Sequence, residues 1–246
     1  MFGIENLGEQ ALNKIAELAL SSQLEDADSL KVKVKTNPEK LANGELESLL
    51  IEGEGLVIET DLRLQVLEIE MKAISVEPLK ALTGNIKLTK PTQGTARLVL
   101  TETDLNRALN SSDLRAKIDV LDTYLSTGDI KVTVPQKKCQ LCQDGTVAVE
   151  AVVELQPSGE IKKVAFIATP EIAPGGRSVV LSEVQYEPGK EISEDLTQAF
   201  LDKAAKMLDL HNFEKQGLAL RIHSLTVEAG RITLLAIADI TQFPTL

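Results

Sequence analysis

Between Asp61 and Ala73 apolar and polar residues alternate, and halfway along the alternation changes parity. Leu62, Leu64 and Val66 share one parity; Leu67, Ile69, Met71 and Ala73 share the other. The polar set switches in step, from Asp61, Arg63 and Gln65 to Glu68, Glu70 and Lys72. A period of two is the signature of a strand with one buried face. A one-residue slip at Val66-Leu67 predicts a β-bulge that bends the strand while keeping a single apolar face. The same switch recurs near the end of the chain. Leu218, Leu220 and Ile222 are even, Leu225, Val227 and Ala229 are odd, and His223-Ser224 lies between them.

Other segments read the same way. Leu30, Val32 and Val34 alternate with Lys31, Lys33 and Lys35, a half-buried strand that stops at Asn37-Pro38. Leu49, Ile51, Leu56 and Ile58 surround Gly53 and Gly55, where a sheet can bend close to another backbone. Strands are predicted at 129–135, 146–155, 161–169 and 178–187, separated by turns such as Pro157-Ser158-Gly159 and Pro174-Gly175-Gly176. A final hairpin turns at Glu228-Ala229-Gly230, and its second arm carries Ile232, Leu234, Ala236 and Ala238.

Helices are fewer. Leu7, Ala11, Ile15, Leu18 and Ala19 recur at three- and four-residue steps, with Glu5, Glu9, Lys14 and Glu17 on other faces. Thr101-Glu102-Thr103-Asp104 is a capping box that opens a helix through Leu109. One turn is expected at Pro78–Leu82 and a helix at Ser112–Tyr124. A longer helix follows Ser193, with Leu196, Phe200, Ala204 and Met207 on one stripe. The expected class is α+β: long, bent, mostly antiparallel strands with some helices. No linker composition interrupts residues 1–246, so one elongated domain is expected.

Composition narrows the function. Lys plus Arg is 26 against 37 Asp plus Glu, a net charge of −11. That excludes a general nucleic-acid binder, which needs basic surface to displace phosphate counterions. The two cysteines cannot form a disulfide framework, and Cys139-Gln140-Leu141-Cys142 lacks the second ligand pair of a zinc site. Asp144-Gly145 turns into a strand, where a thioredoxin-like pair would enter a helix, so both thiols read as structural. There is no nucleophile elbow, P-loop or dinucleotide fingerprint. No catalytic residue, metal or cofactor is therefore assigned. The first twenty residues do not read as a signal peptide, and a cytoplasmic location is expected, with peripheral contact at a membrane.

Aromatic residues are only 3% of the chain, so its apolar surface is built from Leu, Val, Ile and Ala. Such walls, poor in directional polar groups, suit either a packed core or a cavity for acyl chains. Lys31, Lys33 and Lys35, on one strand face about 6–7 Å apart, are candidates for contact with anionic headgroups.

The stretch from Lys40 to Leu109 resembles the LmeA-like phospholipid-binding family. The resemblance rests on Leu41-Ala42-Asn43-Gly44-Glu45-Leu46, Gly53-Glu54-Gly55-Leu56-Val57-Ile58, Leu82-Thr83-Gly84 and Pro91-Thr92-Gln93-Gly94-Thr95-Ala96. Its most specific piece is Leu100-Thr101-Glu102-Thr103-Asp104-Leu105-Asn106-Arg107-Ala108-Leu109, a strand running into an L-T-x-x-D-L-N helix. The resemblance implies a curved, twisted sheet wrapped on long helices, similar to tubular lipid-binding modules, and phospholipid binding without chemistry. On that basis Leu62, Leu64, Val66, Ile69 and Met71 are the expected acyl-chain lining, with Phe200 and Met207 from the late helix. The competing expectation is a packed assembly factor whose edge strand or Cys139 region docks a protein partner.

Overall fold

A computed structural model describes residues 7–22, 24–59, 61–77, 88–111, 120–125, 128–207, 209–210 and 217–241. The chain divides into two compact units. The first comprises residues 1–99, 210–224 and 234–246; the second comprises 100–209 and 225–233.

The described elements run in the order α1 (Leu7–Ser21), β1 (Ser29–Lys35), α2 (Pro38–Ala42), β2 (Glu45–Glu59), β3 (Leu62–Ser75) and β4 (Thr92–Thr101). They continue with α3 (Glu102–Leu109), β5 (Val120–Leu125), β6 (Gly128–Leu141), β7 (Val147–Gln156), β8 (Glu160–Ile172) and β9 (Val179–Tyr186). The last three are α4 (Glu194–Met207), β10 (Leu218–Glu228) and β11 (Arg231–Ile240). One sheet has the order β1-β2-β3-β4-β11-β10 and the other β5-β6-β7-β8-β9. The assigned registers are antiparallel. The α+β expectation is thus realised mainly as antiparallel sheet, and the two longest described helices have 15 and 14 residues.

Two local expectations are corrected. Val120–Leu125 is a strand paired with β6, from Val120↔Thr133 to Leu125↔Gly128, where helix was expected. Hairpin pairing across Gly128 gives that backbone its partners and overrides the helical spacing. Residues 112–119 and 78–87 lie outside the described residues. The predicted bulge at Val66-Leu67 is absent, because β3 keeps unbroken register with β2 from Glu45↔Ser75 to Val57↔Arg63. The bend is made by glycine on the neighbouring strand. Gly55 has φ +63°, and Leu56 turns back over Gly53, where an added Cβ would lie 2.6 Å from Leu56 Cδ1. Ala73, at φ +52°, makes a second reversal, so Met71 and Ile74, three residues apart, enter one cluster.

The switch at His223-Ser224 coincides with a boundary between the units. Leu220 packs in the core of the first unit and Leu225 in that of the second, and the boundary between units falls at Ser224/Leu225. The parity change marks where one strand passes from one core to another.

Helix α1 corrects the expected apolar stripe. Ile15 and Leu18 are exposed, and Leu12, Ala16 and Leu20 face the sheet instead. The helix is rotated by a polar row. Glu17 Oε1, Asn13 Oδ1 and Glu9 Oε1 accept from the backbone N–H of Val32, Val34 and Thr36 at 3.3, 2.7 and 3.0 Å. Four residues of helix advance about 6.0 Å and two of strand about 6.6 Å, so the rows stay matched. The free edge of β1 is thereby closed to further strand pairing.

The second unit repeats the device. Glu102 Oε2 accepts from Leu141 N at 2.9 Å. Asn106 accepts from Cys139 N through Oδ1 and donates to Cys139 O through Nδ2, at 2.8 and 2.7 Å. Asn110 Nδ2 donates to Lys137 O at 3.0 Å. Glu9-Gln10-Ala11-Leu12-Asn13-Lys14 and Glu102-Thr103-Asp104-Leu105-Asn106-Arg107 share the pattern E-x-x-L-N-(K/R). In both, the leucine packs on the sheet and the Glu and Asn serve a strand edge.

Candidate functional site

The residues expected to line an acyl chain fall mainly on β3. Cross-strand registers place Val32 and Val34 of β1 opposite Ile51 and Leu49 of β2, which stand opposite Ile69 and Met71 of β3. Ile69 and Met71 in turn face Ala96 and Gly94 of β4. One aliphatic face therefore crosses four strands. It continues through Ile74, Ala238, Ile240 and Leu220, which cluster with Met71.

Its depth varies. Val32, Met71 and Ile74 are fully buried, whereas Leu46, Leu49, Ile69 and Leu220 are half-buried. Gly94 sets the closest approach: a Cβ there would stand 2.8 Å from Met71 Cγ and 3.1 Å from Glu70 O. The glycine of the Pro91–Ala96 motif thus makes room for Met71. Leu64, also buried, lies opposite Leu56, while Leu62 and Val66 are half-buried.

The late-helix residues separate from this set. Phe200 packs beside Leu196 against Val134, Val153, Leu155 and Val164 in the second unit. Met207 ends α4, and its side chain lies outside the described residues.

The opposite face of the first sheet is charged. Lys31, Lys33 and Lys35 are exposed and alternate with buried Val32 and Val34, as their spacing predicts. The stripe meets acids on β2. Lys33 Nζ lies 2.8 Å from Glu52 Oε2, and Lys31 stands directly across from Glu52. The hydrogen bond from Lys33 holds the Glu52 carboxyl below its ordinary range, and Lys40 and then Lys35 do the same for Glu47. Arg97–Glu68 at 2.9 Å, Lys72–Glu70 at 3.0 Å and Arg221–Asp239 at 2.6 Å extend the lattice. Such exposed pairs contribute little stability individually. Their consequence is contrast, with one face of the sheet ionic and the other aliphatic.

Among the described residues, the aliphatic face gathers Leu, Ile, Val, Met and Ala side chains. Among the described residues, no group of three or more His, Cys, Asp or Glu side chains is placed to hold a metal. No buried side-chain polar atom there lacks a hydrogen-bond partner. Asp104, nearly inaccessible, is a capping residue: Thr101 Oγ1 donates to its Oδ2 at 2.7 Å and accepts from its backbone N at 3.1 Å. The most specific motif of the sequence is thus a structural clamp, with Thr101 and Asp104 capping, Leu105 and Leu109 packing, and Asn106 bound to Cys139.

Cys139 is buried, which pushes its thiol up to about 12, with Glu102 and Cys142 adding to the effect. Cys142 begins a turn, donating its N–H to Thr146 O at 3.0 Å. Buried and held protonated, Cys139 is not a thiolate nucleophile near neutral pH.

What sequence reasoning missed is the polar row on each edge helix. The signal was present as the repeated E-x-x-L-N-(K/R), but its meaning depends on a strand distant in the chain. No described helix is long and apolar enough to cross a membrane.

No curated protein and no solved structure matches the chain. A family model described as LmeA-like phospholipid-binding matches residues 4–237, nearly its whole length. With a match over that span, the chain belongs to the LmeA-like phospholipid-binding family.

Proposed function

We propose that this protein binds phospholipid by laying acyl chains along the aliphatic face of its first sheet, and carries or presents that lipid at a membrane without chemistry. The observation that carries the reading is the row of half-buried aliphatic side chains, Leu46, Leu49, Ile69 and Leu220, around buried Met71. A chain docked there removes apolar surface on both partners, at about 0.8 kcal/mol per buried methylene, and needs no charged anchor. Leu62, Leu64 and Val66 extend the same strand and are the next lining residues. Family membership supports the ligand class.

Lys31, Lys33 and Lys35 are the proposed contact with anionic headgroups. The Lys33–Glu52 pair and the charge of Glu47 near Lys35 make that contact weak and readily reversed, as a carrier requires. The reading keeps the protein peripheral to its membrane and at work in the cytoplasm.

Native mass spectrometry with lipid extraction of the purified protein tests the proposal. Stoichiometric phospholipid is the expected result. A protein free of lipid that also ignores liposomes overturns it and leaves the assembly-factor reading.

A further inference from the structure

A second feature lies wholly within the second unit. A half-open groove of about 600 Å³ is lined by Lys138, Glu150, Val152, Lys163, Ala165 and Lys190, among others. Four of the lining residues are lysines and one is acidic, in a chain of net charge −11.

The groove is built by an irregularity. Register between β6 and β7 shifts between Thr133 and Gln136, around Pro135. The shift leaves Val134 O to accept from Lys137 Nζ at 2.9 Å, while Asn110 from α3 holds the Lys137 carbonyl. Beyond the bulge Lys138 stands across from Glu150, which stands across from Ala165; Gln136, Val152 and Lys163 form the next row on the same face. Lys138 and Lys163 thus belong to strands on either side of β7, whose backbones are about 10 Å apart at two ~4.8 Å spacings. Two extended lysines rising from those positions can converge over Val152.

Lys138 and Lys163 make no ion pair among the described residues, in contrast to the first sheet, where Lys33 and Lys72 are paired. Lys190 at the rim is held by Glu187 at 2.6 Å. Leaving aside Lys137, whose ammonium is held by Val134 O, the lysines Lys138, Lys163 and Lys190 stand against Glu150 and Glu187, a formal excess of one positive charge. On this face Val152 and Ala165 lie between the two lysines, beside Glu150. Converging ammonium donors fit a compact anion with several acceptor oxygens.

We propose that this groove is a phosphate-binding site, with Lys138 and Lys163 as its cationic donors, and that the phosphate it takes is the headgroup phosphate of a phospholipid. The assignment to lipid rests on the function proposed above; the anion site itself rests on the groove.

The test uses the full chain, with inorganic phosphate and dihexanoyl phosphatidylglycerol as probes, followed by NMR of the lysine side chains and by calorimetry. In Lys138→Gln/Lys163→Gln both probes should bind about thirty-fold more weakly, the factor for two lysine–phosphate contacts, while thermal unfolding is unchanged. Glu150→Gln should act in the opposite sense and tighten both. Phosphatidylglycerol binding much tighter than inorganic phosphate assigns the site to a lipid; equal affinities overturn the lipid assignment and leave a free-phosphate site. Wild-type protein that binds neither probe, or a double variant that binds both as well as wild type, overturns the site. Lipid extraction separates the two proposals. Lipid retained equally by wild type and by a variant with unaltered probe binding defeats the groove alone. Phosphate binding that the variant loses, in a protein that never carries lipid, defeats the lipid reading alone.

Discussion

Asn106 and Asn13 occupy the same place in two copies of one device, yet they carry different loads. Asn106 makes two hydrogen bonds to Cys139, whereas Asn13 accepts one from Val34. Removing a partner from a covered backbone group costs its desolvation. Asn106→Ala should therefore lower stability by about 2 kcal/mol and Asn13→Ala by about 1 kcal/mol, read from urea unfolding. Equal losses would show that the asparagines only fill space. Gly94→Ala sets a methyl group against Met71 and should cost roughly 1–3 kcal/mol, as overpacking does. Cys139 gives a chemical readout. A thiol reagent at mild pH should modify Cys142 in the native protein and reach Cys139 only in denaturant. Folding raises the Cys139 thiol from 9.0 to about 12, so its contribution to stability is intact below about pH 9. That contribution falls as pH climbs toward 12, because in that window only the unfolded chain ionises the thiol and loses its proton. A stability that does not fall over this range would show the thiol to be solvated.

At the scale of elements, the recurring solution is a helix laid along a strand edge. An edge strand presents N–H and C=O groups that another chain can pair with. Here α1 and α3 satisfy them with side chains at four-residue steps, and leucines on neighbouring turns enter the core. This explains why Ile15 and Leu18 point outward: the face that serves β1 is chosen by hydrogen bonding as well as by apolarity. Strand β1 carries the other element-scale prediction. Reversing Lys31, Lys33 and Lys35 to Glu should weaken association with anionic vesicles by about a hundredfold, at about 1 kcal/mol for each lysine near the lipid surface. The fold should survive, since exposed pairs such as Lys33–Glu52 contribute about 0–1 kcal/mol. Unchanged vesicle binding by a folded triple variant would reduce the stripe to a solvated strand face.

For the whole molecule, a bound lipid is a stabiliser by mass action. At a hundred times its dissociation constant a ligand adds about 2.7 kcal/mol, which in a chain of this length corresponds to roughly 5–10 °C in the unfolding midpoint. Short-chain phospholipid should raise the midpoint by that order, while the same headgroup without acyl chains should raise it less. Equal shifts would mean that the acyl chains contribute nothing and would count against the aliphatic face as the binding surface. The net charge of −11 repels anionic membranes at long range, but salt limits that field to about 8–10 Å. Vesicle binding measured at several ionic strengths should therefore weaken less with added salt than binding through an unpaired basic patch would.

Period-two patterns placed β1, β7, β8 and β9 within a few residues, and the start of β6 but not its last six residues, because alternation is local and survives without knowledge of partners. The capping box at Thr101–Asp104 and the turns at Gly159 and Gly230 were equally legible, since their geometry is set within four residues. The aliphatic face could be read as a list of residues on β3, and the lysine stripe as an exposed row. Three things were decided only by tertiary structure. The bend of the β2–β3 pair is made by Gly55 opposite the apparent slip, because a left-handed glycine can turn a face over without inserting a residue. The rotation of α1 depends on the N–H groups of an edge strand that the helix sequence does not contain. The switch at His223-Ser224 falls where the strand leaves the core that holds Leu220 for the one that holds Leu225, which no local pattern announces. Sequence sets what each segment can bury; which neighbour it is buried against depends on contacts between residues far apart in the chain.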